Sequence, residues 1–306
     1  MRFKGVITGA TGYIGSNLLR YLLKHEWEIY IIAQPEFGFS NIEDVKDQIQ
    51  IIEYDKDINT LIDFFKKINP DVVFHLAAAV INNYKPEQIP VLIESNILFG
   101  TQVLEAMRYS KTKLFINTGS YWQNYNSDDY NPVDLYAATK ESFEKIIKYY
   151  VDAYNLRCIT LRLFDVYGDN DTRPKLLNLL CEIARDGTSI DVSPGDQLLD
   201  MVHISDVCTA YLAAFEQLYK NQSEYNSIYS VSTNEMTTLK NIVTILEDIF
   251  ETKLNVNWGG RLYKDREIML PNHKYKTLPN WHPNIKLEAG LKLFKRKLSN
   301  SKHDHI

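Results

Sequence analysis

Cysteine is scarce. The 306 residues hold only three, Cys158, Cys181 and Cys208, far apart and with no CxxC pair. An odd, sparse set builds no disulfide framework and argues for reduced thiols in a cytoplasm. Long apolar runs are also missing, and none approaches the roughly 20 residues of a membrane span. Positive charge is not in excess, because 34 lysines and arginines face 39 acids, for a formal charge of −5. Binding to nucleic acid or to a membrane is therefore not expected, and a phosphorylated ligand would need local cations. Val6-Ile7-Thr8 already reads as strand, which leaves no room for a signal peptide before it. What remains is a globular composition, 45% hydrophobic and 24% charged, enough for a large core in one domain or two intimate ones.

The first half alternates short apolar runs with amphipathic ones. Strands are expected at 3–8, 28–33, 49–54, 71–78, 113–118 and 157–164, and helices at 16–25, 60–68, within 87–109 and at 135–155. This rhythm predicts an α/β fold, a Rossmann-type doubly wound parallel sheet covered on both faces. Ligands then bind at the carboxyl ends of the strands. After Gly168 the rhythm breaks. Helices are expected at 175–186, 204–218, 238–250 and 287–297, a strand and turn at 189–200, and little period at 258–283. The reading assigns 1–168 to a dinucleotide-binding domain, with 201–232 returning to it. It gives 169–200 and 233–298 to a smaller C-terminal substrate-binding lobe, and leaves 299–306 as a frayed tail.

Between the first strand and helix lies Gly9-Ala10-Thr11-Gly12-Tyr13-Ile14-Gly15. Its glycines permit a tight turn, close approach of a pyrophosphate, and packing of helix on strand, so the anion meets the helix N-terminus. Thr11, Tyr13 and Ile14 are the side chains of that cofactor loop. The second strand ends in Ala33-Gln34-Pro35-Glu36, where a ribose-binding acid would stand. Gln34 is neutral and Glu36 lies past a proline, so a 2′-phosphate is tolerated and NADPH is favoured over NADH. No Arg or Lys between Ile29 and Val45 welcomes that phosphate; Ser40, Asn41 and backbone amides are the local donors. Asp55, followed by Lys56, either accepts from an adenine amino group or is a solvated turn acid.

Tyr136 and Lys140 stand four residues apart on one face of an expected helix, and Ser120 ends a strand sixteen residues before Tyr136. Adding hydride to a ketone creates an alkoxide that needs a proton. A phenol can give it if a nearby ammonium lowers its pKa from about 10. A hydroxyl donor can hold the carbonyl oxygen in place.

With these features the sequence resembles the extended short-chain dehydrogenase/reductase superfamily that modifies nucleotide sugars. Further matching features are His75-Leu76-Ala77-Ala78, Asn96, Thr118-Gly119-Ser120, the run 161–168, 200–207 and Trp281-His282-Pro283. The resemblance implies that Leu76, Ala77 and Ala78 line the cofactor and Asn96 supports its nicotinamide end. It also implies that Ser120, Tyr136 and Lys140 form the triad and that the two long helices build a homodimer. Departures narrow the activity. The 4,6-dehydratases carry an Asp-Glu pair after the triad hydroxyl; here stand Tyr121 and Trp122, which cannot do that acid/base work. Asp165 replaces a usual Asn and Leu199 a usual Arg, both of which serve the nucleotide diphosphate. Arg173, Lys175, Arg261, Lys264 and Arg266 are the candidate replacements, or else solvated surface charges. The runs 117–123 and 193–200 resemble the CDP-abequose and CDP-paratose synthases, which implies reduction of a CDP-linked 4-keto sugar with NADPH. Tyr121 and Trp122 would then flank the sugar, unless Trp122 is core. An epimerase with tightly held NAD, or a non-catalytic dinucleotide sensor, remains the alternative.

Overall fold

The computed structural model describes residues 2–300 except 35–37, 170, 172 and 224, and only the backbone over 294–300. Pro35, Glu36 and the tail beyond residue 300 thus lie outside the described residues. β1 (Lys4–Thr8) leads into α1 (Tyr13–Lys24), β2 (Glu28–Ala33), a 3₁₀ stretch at Ser40–Gln48, β3 (Gln50–Glu53), α2 (Ile58–Ile68) and β4 (Val72–His75). Next come α3 (Ile89–Ile93), a π-helical turn at Glu94–Leu98, α4 (Phe99–Arg108), β5 (Leu114–Ser120), α5 (Leu135–Tyr154), β6 (Arg157–Leu163) and β7 (Asp165–Tyr167). The second half carries α6 (Leu176–Asp186), β8 (Ser189–Val192), β9 (Leu198–His203), α7 (Ile204–Lys220), β10 (Asn226–Val231), β11 (Met236–Thr238), α8 (Leu239–Phe250), β12 (Asn255–Trp258) and α9 (Leu287–Asn300).

Seven parallel strands form the main sheet in the order β10-β6-β5-β4-β1-β2-β3. Strand order reverses between β1 and β4, the switch point where open α/β sheets bind ligands. The continuous apolar strands are buried on both faces because helices cover both. One core gathers Leu18, Leu19 and Leu22 of α1 with Tyr211, Ala214 and Phe215 of α7. The other gathers Leu61 and Phe65 of α2, Val103 and Met107 of α4, and Phe143 and Ile147 of α5. A third core, with Leu180 of α6, Leu246 of α8 and Leu291 of α9, lies in the second half. Two small sheets, β11-β9-β7 and β12-β8, accompany it.

Several elements differ from expectation, among them the unexpected 3₁₀ stretch at Ser40–Gln48 and the short strands β7, β11 and β12. β4 stops at His75, because Leu76 N still bonds Thr8 O at 3.2 Å whereas Ala77 N turns to the Thr8 side chain. The long helix within 87–109 is α3 and α4 joined through the π-helical turn. β10 went unread because only its last two residues, Ser230 and Val231, are buried, which leaves little apolar signal.

Candidate active site

The site starts where β1 turns into α1. Gly9 has φ +71°, and a Cβ there would stand 2.7 Å from Ala77 N. A Cβ on Gly15 would stand 2.1 Å from Gly9 O. The loop is thus closed tightly on itself and on the residues after β4. Gly12 precedes α1 as its N-cap, and the helix has no side-chain cap and no acid in its first turn. Its leading amides and positive dipole end suit an anion, so these residues fit a dinucleotide's pyrophosphate. Asn41 Nδ2 donates to Thr11 O at 2.8 Å, and Arg20 Nη2 donates to Asn41 O at 2.7 Å. Arg20, paired with Asp44, is a cation beside Ser40 and Asn41 that a window over 29–45 misses, because it comes from α1. Gln34 is half-buried at the end of β2.

Other residues assigned to the cofactor are engaged by the protein. Asp55 accepts from Asp57 N and Thr60 Oγ1, and exposed Lys56 pairs with Glu94 at 3.5 Å. Asp55 therefore orders the turn into α2. Asn96 is buried in the π-helical turn. Its oxygen accepts from Ala79 N at 2.7 Å, and its amide donates to Ala79 O and Thr139 Oγ1. It fastens the segment containing Ala77 and Ala78 to α5.

β5 delivers Ser120, and α5 delivers Tyr136 and Lys140. Asp134 caps α5 by accepting from Ala137 N, which fixes Tyr136 in the first turn and Lys140 one turn on. Tyr136 lies in the field of Tyr211, whose hydroxyl bonds Thr118 of β5 at 2.6 Å. The charge of buried Lys140 acts on His75, which bonds Thr8 at 2.9 Å. Thr139, beside Lys140, is tied through Asn96 to Ala79 just past β4, so the first turns of α5 lie at the carboxyl end of that strand. The electrostatics differ from the simple expectation. Burial, then the Asp134 carboxylate, pushes the Tyr136 phenol above its usual range. Burial pushes the Lys140 amine down to about 8, against the pull of Glu144 and with the repulsion of Arg162. His75 is pushed down to about 3 by burial and the Lys140 charge, so it is neutral at pH 7.

Joined to Ser120 and α5 is a buried polar cluster that the sequence did not announce. Arg162 of β6, 1% exposed, donates from Nη2 to Glu141 at 3.0 Å and Glu144 at 2.8 Å. Gln123 Nε2 donates to the same two carboxylates at 2.8 and 3.0 Å. Gln123 Oε1 accepts from Ser120 N at 2.9 Å, and Arg162 Nη1 donates to Ser120 O at 3.2 Å.

A cavity of about 420 Å³ opens beside this constellation. Tyr121 and Trp122, directly after Ser120, and Asp134, two residues before Tyr136, contribute to its wall, as do Asp165, Lys175, Arg261, Lys264 and Arg266. Tyr121 donates to Asp165 at 2.9 Å and stacks on Phe164, whose ring also stacks on His273. Lys264 lies 5.9 Å from the Trp122 ring, and Arg266 stacks on Tyr125 and bonds Asn131. Arg173 is not part of that wall. Its guanidinium pairs with Asp171 at 2.6 Å and covers the Tyr13 ring at 4.3 Å, which places it over the glycine loop. Among the described residues, no helix is long and apolar enough to cross a membrane, and no group of three His, Cys, Asp or Glu side chains could hold a metal ion. All three cysteines are free and buried, and burial pushes each thiol up to about 12.

The profile of the NAD dependent epimerase/dehydratase family matches residues 6–231. The chain belongs to that family. Within it, a CDP-abequose synthase from Yersinia pseudotuberculosis is 29% identical over 284 residues, covering 92% of this chain and 96% of that protein. A putative UDP-glucose 4-epimerase from Methanocaldococcus jannaschii is 27% identical over 94% of this chain and 95% of its own. Among solved structures, a UDP-glucuronic acid 4-epimerase from Bacillus cereus, in complex with UDP-glucuronic acid and NAD, superposes with a TM-score of 0.80 at 23% identity. That superposition covers 98% of this chain and all of the epimerase chain. As a member of the epimerase/dehydratase family, the protein is an NAD(P)-dependent enzyme of the oxidoreductase type on a Rossmann-like sheet.

Proposed function

We propose that the protein reduces the C4 ketone of a nucleotide-linked deoxy-4-keto sugar with NADPH. The favoured substrate is a CDP-linked 3,6-dideoxy-4-keto hexose, and the product serves surface polysaccharide. The observation that carries this reading is the end of β5. Directly after Ser120, its last residue, two aromatic side chains, Tyr121 and Trp122, line the cavity in place of a carboxylate pair. Such a wall can seat a deoxygenated sugar and offers no acid/base pair for dehydration. The 29% identity to the CDP-abequose synthase supports the same substrate class.

In this reading Ser120 orients the ketone and Tyr136 supplies the proton. A phenol held protonated by burial is the form a donor needs. Lys140, with its amine near 8, is mostly cationic at pH 7 and stabilises the phenolate left behind. When bound, the nicotinamide supplies the hydride. Lys175, Lys264 and Arg266, with Arg261, offer positive charge to the diphosphate. Neutral Gln34, the donors Ser40 and Asn41, and Arg20 support the preference for a 2′-phosphate. A cytoplasmic homodimer is supported by the free cysteines and by the exposed Val91, Ile93, Leu98 and Tyr149 on the two long helical segments.

The test is Tyr136→Phe with a CDP-linked 4-keto sugar, followed by nicotinamide absorbance. Turnover should fall by about 100- to 10,000-fold while NADPH still binds; wild-type-like turnover would end the assignment. The second reading, a 4-epimerase with held NAD, is favoured by the identity to the Methanocaldococcus protein. Purified protein that carries stoichiometric nicotinamide and turns over without added reductant would select it.

A further inference from the structure

The two carboxylates of the buried cluster are not equivalent. Glu141, buried like Glu144 and bonded by the same Arg162 and Gln123, also pairs with exposed Lys145 at 3.0 Å. Glu144, one turn on from Lys140, is buried and takes hydrogen bonds from Arg162 and Gln123. The same arginine and glutamine hold the Ser120 carbonyl and amide. We infer that Glu144 is a positioning residue for the triad: through Arg162 and Gln123 it fixes the Ser120 backbone, and it places a counter-charge one turn from Lys140. This rests on the reading of Ser120, Tyr136 and Lys140 as the reacting set.

The groups facing these side chains leave Glu144 as the anion that acts on Lys140. From β6 come Arg162 and Cys158, whose thiol at about 12 is neutral, and from β4 comes His75, neutral at about 3. On α5 itself, Glu141 is answered by Lys145, and Tyr275 covers the Arg162 guanidinium from outside. Glu105 of α4 is bonded by Tyr150, farther along α5. Burial and Arg162 both push the Lys140 amine down, and Glu144 pulls it up. Removing that negative charge disfavours the ammonium, so the amine must lose its proton at lower pH.

Glu144→Gln keeps the shape and oxygen acceptor but removes the charge; Glu141→Gln is the matched control. The readout independent of turnover is ¹³C NMR of Cε-labelled lysine in the full-length protein without added coenzyme. The Lys140 signal is assigned by its loss in Lys140→Arg. The titration midpoint should start near 8. It should fall by about one pH unit in Glu144→Gln and by under about 0.3 in Glu141→Gln. The alkaline limb of kcat should move down with it, with little change in KM. Equal shifts in the two variants, or none in Glu144→Gln, overturn the inference. Should Glu144→Gln not fold, Gln123→Met decides: kcat about tenfold lower at unchanged KM supports the role, and unchanged kcat overturns it. A wild-type protein without ketoreductase turnover would defeat the proposed function and leave the NMR comparison to judge this inference separately.

Discussion

Replacing Gly15 by alanine should separate cofactor binding from folding. A Cβ there meets Gly9 O at 2.1 Å and Ala10 Cα at 2.8 Å, backbone atoms with no rotamer in which to retreat. Ordinary contact begins at 3.4 Å, so α1 must move away from the end of β1 by more than an ångström. Overpacking of this kind costs about 1–3 kcal/mol, well short of the roughly 5–15 kcal/mol that keeps a domain folded. Tm should fall by about 2–10 °C. The same retreat withdraws the uncapped amides of α1 from the anion they face. A hydrogen bond to a charged group contributes about 1.5–3 kcal/mol. Losing one weakens coenzyme binding by about 10- to 100-fold. Calorimetric titration with NADPH and with NADH, beside a circular-dichroism melt, measures both effects. A folded variant whose Kd stays within about twofold of wild type would refute the argument that this close approach serves the pyrophosphate.

Two further substitutions test other parts of the molecule. Buried Asp200 accepts from Ser232 Oγ (2.5 Å), Thr233 N (2.9 Å), Thr233 Oγ1 (2.7 Å), Asn234 N (3.2 Å) and His273 (2.9 Å). Asp200→Asn would turn donors on donors and should cost about 3–5 kcal/mol in urea denaturation at pH 7. Burial raises the Asp200 carboxyl, but hydrogen bonds from His273, Ser232 and Thr233 outweigh it and hold it below the usual range. Its contribution is therefore complete above the unfolded value near pH 4 and is lost as pH falls through the lower folded value. The gap between the two proteins should narrow on acidification, and a gap constant down to about pH 2 would contradict this. Arg20→Ala should raise the KM for NADPH about tenfold and leave that for NADH nearly unchanged. Equal changes for both coenzymes would confine Arg20 to holding Asn41 and Asp44.

The first-half strands could be read from sequence because parallel strands under helices are continuous apolar runs, and the glycine loop because its backbone demands small residues at fixed places. That Tyr136 and Lys140 share one helix, a turn apart, was legible through their spacing. The direction of the phenol's shift was not, since it depends on how completely α5 is covered. Arg20, Arg162 and His273 act on partners far away in the chain, and no local pattern marks them. The π-helical turn is a slip in hydrogen bonding that composition does not record. Arg173 was recognised as a useful cation, but only the folded loop shows that Tyr13 and Asp171 claim it.

That arginine faces two compartments. One side of its guanidinium lies on Tyr13 beside the uncapped start of α1, and the other grips Asp171, which borders the 420 Å³ cavity. A single planar cation thus links the glycine loop's Tyr13 ring to a carboxylate on the cavity wall. Any movement of the glycine loop that shifts the Tyr13 ring also shifts a carboxylate at the edge of the neighbouring chamber.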